Sequence, residues 1–334
     1  MFRGLFKLLV LCVLALAIWV AFAVMVPMQP RADTFVLLHP GWSTRRIARE
    51  LKSAGVIRST NAFLLVHYFE EFTNKDRRTL KAGEYKFDHA ANVIDVRNRL
   101  ARGDIYTHTV VVPEGYNIFD IARAIEEAGL GSASDFLKVA HTDSTLIHDL
   151  DPQARTLEGY LFPDTYQFSR TQSLHDIAGA MVRRFQQEAR GLGLNENVHE
   201  IVTMASIVEK ETSVPDERPI VASVYFNRLQ KHIALAADPS VVYAALLDGR
   251  YRGTIYQSDL QASSPYNTYK FPGLPPGPIA NPGRASLLAA MHPATTDYLY
   301  FVADGSTGHH RFASSYEAHQ RNVAAYRHAM NETR

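Results

Sequence analysis

The sequence predicts an α+β protein with a single transmembrane helix, small α+β modules, and a larger mixed α+β domain. Three observations carry this. An uncharged apolar run opens the chain, a strand–glycine–helix pattern then occurs twice, and from Arg155 aromatic loops alternate with apolar helical stripes. The implied spans are 1–7 for a cytoplasmic tail, 8–26 for the membrane helix, 33–108 and 109–154 for the modules, and 155–334 for the large domain.

The apolar run extends from Leu8 to Val26, after Arg3 and Lys7 and before Pro27. At the rise of an α-helix it reaches about 28 Å, close to the hydrocarbon thickness of a bilayer. Basic residues ahead of the span hold the amino end in the cytoplasm and send the rest across. The expectation is a single-pass anchor in the inner membrane with the large domain in the periplasm. A cleaved signal peptide is the rival, with Ala21 and Ala23 near a processing site. The length of the run and Trp19 inside it favour an anchor that stays. Cys12 is the only cysteine, so no intrachain disulfide can form. Charge is nearly balanced, 35 Lys and Arg against 34 Asp and Glu, which argues against a nucleic-acid partner.

The repeated pattern lies in "FVLLHPGWSTRRIARELKSAGVI" and "TVVVPEGYNIFDIARAIEEAGLG". Each copy reads as a strand, a glycine turn, a capped helix and a terminating glycine. Ser43 and Asn117 stand where an N-cap accepts the free amides of a first turn, and Asp120 completes a capping box. Ile47 and Leu51, like Ile121 and Ile125, are four apart and share one buried stripe. Gly55 and Gly129 suit the left-handed residue that ends a helix. Between the copies, Leu80, Tyr85 and Phe87 mark a sheet face, and Val93, Val96 and Leu100 a helix. The second copy, "VVVPEGYNIFDIARAI", resembles the LysM carbohydrate-binding module, which implies contact with N-acetylglucosamine-containing glycans. A packing unit that positions the large domain fits the same residues.

Periodicity in the large domain places helices at about 174–189, 198–210, 219–229, 284–291 and 316–330, with a strand at "YLYFVAD". Pro219 fits a first helical turn. The long stretch rich in Pro, Gly and aromatics before Arg284 reads as an ordered, functional loop.

Chemistry concentrates in "MASIVEKETSVPDERPIVASVYFNRL", Met204 to Leu229. Glu209 and Glu211 are two positions apart, so they point about 200° from each other on a helix. With Ala205 and Val208 facing the core, Glu209 borders the buried stripe and Glu211 turns to solvent or a cap. A glutamate in a partly desolvated helix end keeps its acid form near neutral pH and suits acid/base work. A solvated helix terminus is the plainer reading of the same charges.

The chain resembles the MltG/YceG family of membrane-anchored endolytic murein transglycosylases. The resemblance is carried by "LEGYLFPDTY" (Leu157–Tyr166), "MASIVEKET" (Met204–Thr212), "ASVYFNRL" (Ala222–Leu229), "YNTY" (Tyr266–Tyr269), "GLPPGPIANPG" (Gly273–Gly283), His292–Pro293 and "YLYFVA" (Tyr298–Ala303). It implies cleavage of the β-1,4 bond between N-acetylmuramic acid and N-acetylglucosamine in nascent strands, leaving 1,6-anhydromuramoyl ends. It assigns catalysis to the first glutamate of "EKET", Glu209, and substrate contacts to Asp238, Tyr266, Asn267 and His310. No metal or cofactor is implied. Nascent peptidoglycan strands are the substrate, and peptidoglycan synthases the implied neighbours. The chain departs from the family pattern at Ala236 and Ala237, where polar residues are usual, and at Gln320, where asparagine is usual. A noncatalytic glycan-binding scaffold and a muramidase with Asp238 as second carboxylate are the alternatives.

Overall fold

A computed structural model describes residues 2–31, 33–73, 79–305 and 307–332. The first residue of the expected tail, 74–78 of the first expected module, and the last two residues of the chain lie outside them. The chain divides into two compact units. One comprises 1–109 with 167–173, and the other 110–166 with 174–334.

The first unit begins with α1 (Phe2–Met25), the one described helix long and apolar enough to cross a membrane. Then follow β1 (Thr34–Leu38), α2 (Thr44–Ser53), α3 (Thr60–Thr73), β2 (Gly83–Phe87) and α4 (Val93–Arg102). Strands β1 and β2 pair antiparallel, with Val36 opposite Tyr85 and Leu38 opposite Gly83. Alternation along β1 turns Val36 and Leu38 to one face, where Ile47 and Leu51 of α2, Phe63 of α3 and Val96 and Leu100 of α4 meet them. Ser43 caps α2 through the Arg46 amide, and Asn92 and Asp95 form a capping box on α4.

The division between the units runs through β3 (His108–Val111) and β4 (Thr165–Phe168), which pair with each other. In the second unit come α5 (Ile118–Glu127), α6 (Ala133–Thr142), α7 (Leu174–Leu192), α8 (Val198–Glu211), α9 (Arg218–Gln230), α10 (Asp238–Leu247), α11 (Gln257–Leu260) and α12 (Arg284–Met291). An antiparallel hairpin, β5 (Tyr300–Ala303) and β6 (His310–Ala313), precedes α13 (Tyr316–Glu332). Helix α8 packs against α9, α10 and α12. Seven consecutive residues of it, Val202 to Val208, are buried. Through that stretch the helix has no solvent face, while Glu200 and Lys210 towards its ends are exposed.

The two sequence repeats fold as expected locally. Asn117 accepts from the Phe119 and Asp120 amides while Asp120 accepts from the Asn117 amide. Gly55 and Gly129 are left-handed. Yet α2 lies in the first unit and α5 in the second. No distinct LysM-like module is identified, because the second repeat buries Ile118, Ile121 and Ile125 within the larger unit.

Candidate active site

Two carboxylate sites surround the end of α8, both within the second unit. The first is built on Glu209. Its Oε2 accepts the Gly283 backbone N–H at 2.9 Å, and its Oε1 accepts from Arg218 Nη2 at 3.2 Å. Arg218 is buried and also lies 3.8 Å from Glu114 Oε2. Burial, and then the Glu209 charge, push the Glu114 carboxyl up, while Arg218 pulls it down. A side chain at Gly283 would collide with the Glu114 carboxylate, so glycine there leaves room for the acid.

Glu114 comes from the turn of the second repeat, which is stitched to the rest of the site. Lys210 Nζ donates to Gly115 O at 3.1 Å, and the Gly115 amide donates to Asn281 O at 2.9 Å. Asn281, fully buried, donates from its side chain to Tyr116 O and Glu158, and accepts the Leu161 amide at 2.8 Å. Glu158 is pushed up to about 8 by burial, with the Ile118 amide acting in the opposite sense. Next to it in sequence, Gly159 has φ +89°, and a Cβ there would sit 2.5 Å from Pro278. Only glycine fits this position of the "LEGYLF" loop without strain.

The second site is built on Glu211. It lines a cavity of about 370 Å³ with Tyr225, Arg228, Ala236, Asp238, Tyr269 and His319 among the walls. Tyr225 donates its hydroxyl to Glu211 Oε1 at 2.7 Å, and Tyr269 donates to Asp238 Oδ1 at 2.6 Å. Burial raises the Glu211 carboxyl to about 7. The Tyr225 hydrogen bond opposes this and the Asp238 charge adds to it. Arg228 spends its donors on Ala234 O and Leu299 O, at 2.9 and 3.0 Å, which fixes its charge at the cavity wall. Tyr300 stacks on His319 with ring centroids 5.1 Å apart. A smaller cavity of about 300 Å³ shares Asp238 and adds Asn117, Lys210 and Tyr251.

The expectation that Glu211 faces solvent or a cap is therefore corrected. It assumed that the side away from the buried stripe is wet, whereas α8 is buried from Val202 to Val208 and its last turn opens into a cavity. The other expected residues scatter. Asp238, at the first turn of α10, shares the Glu211 cavity. Asn267 is fully buried, and its side-chain amide donates to Leu260 O and Ala262 O at 3.0 and 2.9 Å while its oxygen accepts the Tyr269 amide at 3.1 Å. The geometry makes it a loop brace that positions Tyr269. Tyr266 packs on Tyr243 at 5.1 Å and is pushed up to about 12, by burial first and then by the Glu158 charge. His310 points Nδ1 at Glu217 Oε2, 2.7 Å away, and its amide donates to Glu217 Oε1 at 2.8 Å. Of the departures from the family pattern, Ala236 lines the Glu211 cavity with φ +51° and Ala237 is buried. Among the described residues no group of three or more His, Cys, Asp or Glu side chains is placed to hold a metal ion.

Sequence reasoning missed Glu114 and Arg218. The signal for Glu114 was a "PEG" turn in a segment that reads as a separate module. Arg218 stands in "SVPDER", ahead of the apolar residues of α9, where no apolar period marks it.

Residues 36–325 match the YceG-like family. The chain is 34% identical over 329 residues to a Bacillus subtilis protein named endolytic murein transglycosylase, covering 92% of this chain and 89% of that one. It is 28% identical to a Streptococcus pneumoniae protein of the same name, over 86% of this chain and 57% of that one. The 2.6 Å crystal structure of a yceG-like protein from Listeria monocytogenes aligns with a TM-score of 0.56 at 33% identity, over 86% of this chain and 98% of that one. With the match running from the first strand into the last helix, this chain belongs to the YceG-like family.

Proposed function

We propose that this chain is an endolytic murein transglycosylase, and that its acid/base is Glu211 rather than Glu209. The name comes from its relatives in the family. The choice of glutamate rests on one observation: Glu211 opens into a polar cavity and is held at about 7, where both protonation states are populated near neutral pH. Glu209, by contrast, has both oxygens committed, to Arg218 and to Gly283.

In this reading Glu211 gives its proton to the bridging oxygen as the bond from that oxygen to the muramoyl C1 breaks. The resulting carboxylate takes the proton of the muramoyl C6 hydroxyl, and O6 closes on C1. One proton leaves the enzyme and one returns, so no water is consumed. Asp238, oriented by Tyr269, faces the positive charge that builds at C1. The sugar supplies its own nucleophile, and intramolecular attack replaces a bound water. The N-terminal helix serves as the anchor, with Arg3 and Lys7 on the cytoplasmic side and the catalytic unit in the periplasm, near the synthases that make the nascent strands. No separate glycan-binding module enters this reading.

A second reading has support in one feature: Asp238 shares the cavity with Glu211, as a two-carboxylate hydrolase would require. Mass spectrometry of un-crosslinked strands separates the readings. Anhydro ends, lighter by one water than hydrolysis products, support transglycosylation, reducing ends support hydrolysis, and intact strands a scaffold. Glu211→Gln should abolish cleavage while the fold is kept. Full activity in Glu211→Gln, together with loss in a folded Glu209→Gln, would return the role to Glu209.

A further inference from the structure

Helix α3 carries an apolar face left exposed by the described residues. Phe72 is 91% exposed, and Leu65, Tyr68 and Phe69 are each more than half exposed. Their spacing, i, i+3, i+4 and i+7, makes them one stripe rather than scattered surface residues. Helical geometry locates that stripe. At about 100° per residue, Phe63 and His67 point into the core, and Ala62 and Val66 point about 100° to one side. Leu65, Tyr68, Phe69 and Phe72 occupy the arc immediately beyond Ala62.

Ala62 and Val66 are the residues of α3 that hold the anchor helix, packing against Val20, Ala23 and Val24 of α1. The junction is braced further. Arg58, just before α3, donates to the Val26 and Pro27 carbonyls and lies over the Phe22 ring at 5.0 Å. Met28 pairs with Ala91. The apolar stripe is thus continuous around α3 with the surface that grips the carboxyl end of the apolar helix. The two acids of α3 lie off the arc: Glu70 is 3.7 Å from Arg97, and Glu71 is 3.4 Å from His67.

We propose that this face of α3 lies in the membrane interface, as a second lipid contact beside the anchor. The inference rests on reading α1 as membrane-spanning. Amphipathic helices of this kind settle their apolar side into the headgroup–acyl boundary, and Phe and Tyr suit that depth. The contact adds binding area to a helix that already crosses the bilayer, and it sets the tilt and height of the first unit above the membrane. A freely hinged tether would not. The rigid α1–α3 junction is what makes the two contacts act together.

The test uses the full chain with Cys12→Ser, so that single cysteines introduced one at a time, as Leu65→Cys, Phe72→Cys, Glu71→Cys and Leu16→Cys, can carry a fluorophore. The proteins are placed in vesicles of phosphatidylcholine and phosphatidylglycerol containing lipids with a shallow or a deep nitroxide. Labels at positions 65 and 72 should be quenched by the shallow nitroxide, reporting a depth of about 5–10 Å. The label at 71 should be quenched several-fold less, and the label at 16 should respond to the deep nitroxide. Quenching at 16 with none at 65 and 72 would overturn the proposal and leave the anchor standing. Equal quenching at 65, 71 and 72 would also overturn it, because a face-specific contact must follow the helical period. No quenching at 16 would remove the anchor reading, and the proposal with it.

Discussion

Tyr225 donates its hydroxyl hydrogen to Glu211 Oε1 across 2.7 Å, and this bond is the one contact that holds the Glu211 carboxyl down against burial. The tyrosine stands on α9 and the glutamate ends α8, so two helices joined by a short segment with a 3-10 turn set the proton affinity of one group. That relationship can be tested by removing the bond alone.

Tyr225→Phe keeps the ring and deletes the hydroxyl. The hydrogen bond favours the charged carboxylate, so its loss should raise the Glu211 pKa above about 7. Activity that needs the acid form should then persist to higher pH. The alkaline limb of kcat/KM should move up by roughly one unit, the worth of one hydrogen bond to a charged group. A limb that does not move would show that Glu211 does not govern it.

Asp238→Asn should shift the same limb the other way. Burial is the larger cause of the raised Glu211 value, and the Asp238 charge adds to it. Removing that charge lowers the Glu211 pKa, so the acid form is lost at lower pH. On the proposed mechanism the maximal rate should fall as well, because Asp238 supplies the charge opposite C1. The opposite signs of the two shifts, measured in one pH series, are the check.

Stability should depend on Glu211 in a defined window. Its folded value of about 7 lies above the ordinary 4.5, so the folded state holds this proton more tightly. Above about pH 7 the folded protein carries a buried charge, and that cost is relieved as pH falls from 7 towards 4.5. Glu211→Gln should therefore stabilise the protein by roughly 3 kcal/mol at pH 8 and by less than about 1 kcal/mol at pH 5. Thermal melts at the two pH values would read this, and an equal gain at both would contradict it.

The Glu114–Gly283 contact should appear as a coupling. Gly283→Ala places a methyl where the Glu114 carboxylate sits, forcing that flexible side chain away from Arg218 and Glu209. The substitution should cost about 1–2 kcal/mol in the native background and markedly less with Glu114→Ala, a non-additivity that a double-mutant cycle measures. Additive effects would place the strain elsewhere.

Much of this protein was legible in its residues because the signals are local. An apolar run long enough to cross a bilayer needs no partner to be recognised. Asn117 and Asp120 close a capping box within one turn, and Gly129 ends the same helix through its own backbone freedom. Most helices of the large domain could be placed from their apolar periods, but the short α10 and α11 could not.

What the sequence could not fix was which glutamate meets the cavity. The 200° between Glu209 and Glu211 is a property of any helix, but which of the two directions meets a cavity depends on what packs around α8, where α9, α10 and α12 gather and Val202 to Val208 are buried. Likewise, Glu114, Arg218 and Gly283 are far apart along the chain and meet only because Asn281 ties the second repeat to the loop before α12. Short-range signals determined most of the elements, their caps and the apolar N-terminal helix. Burial and charge proximity are sums over neighbours distant in sequence, so only the tertiary structure decided that Glu211 lines a cavity with Asp238 while Glu209 pairs with Arg218.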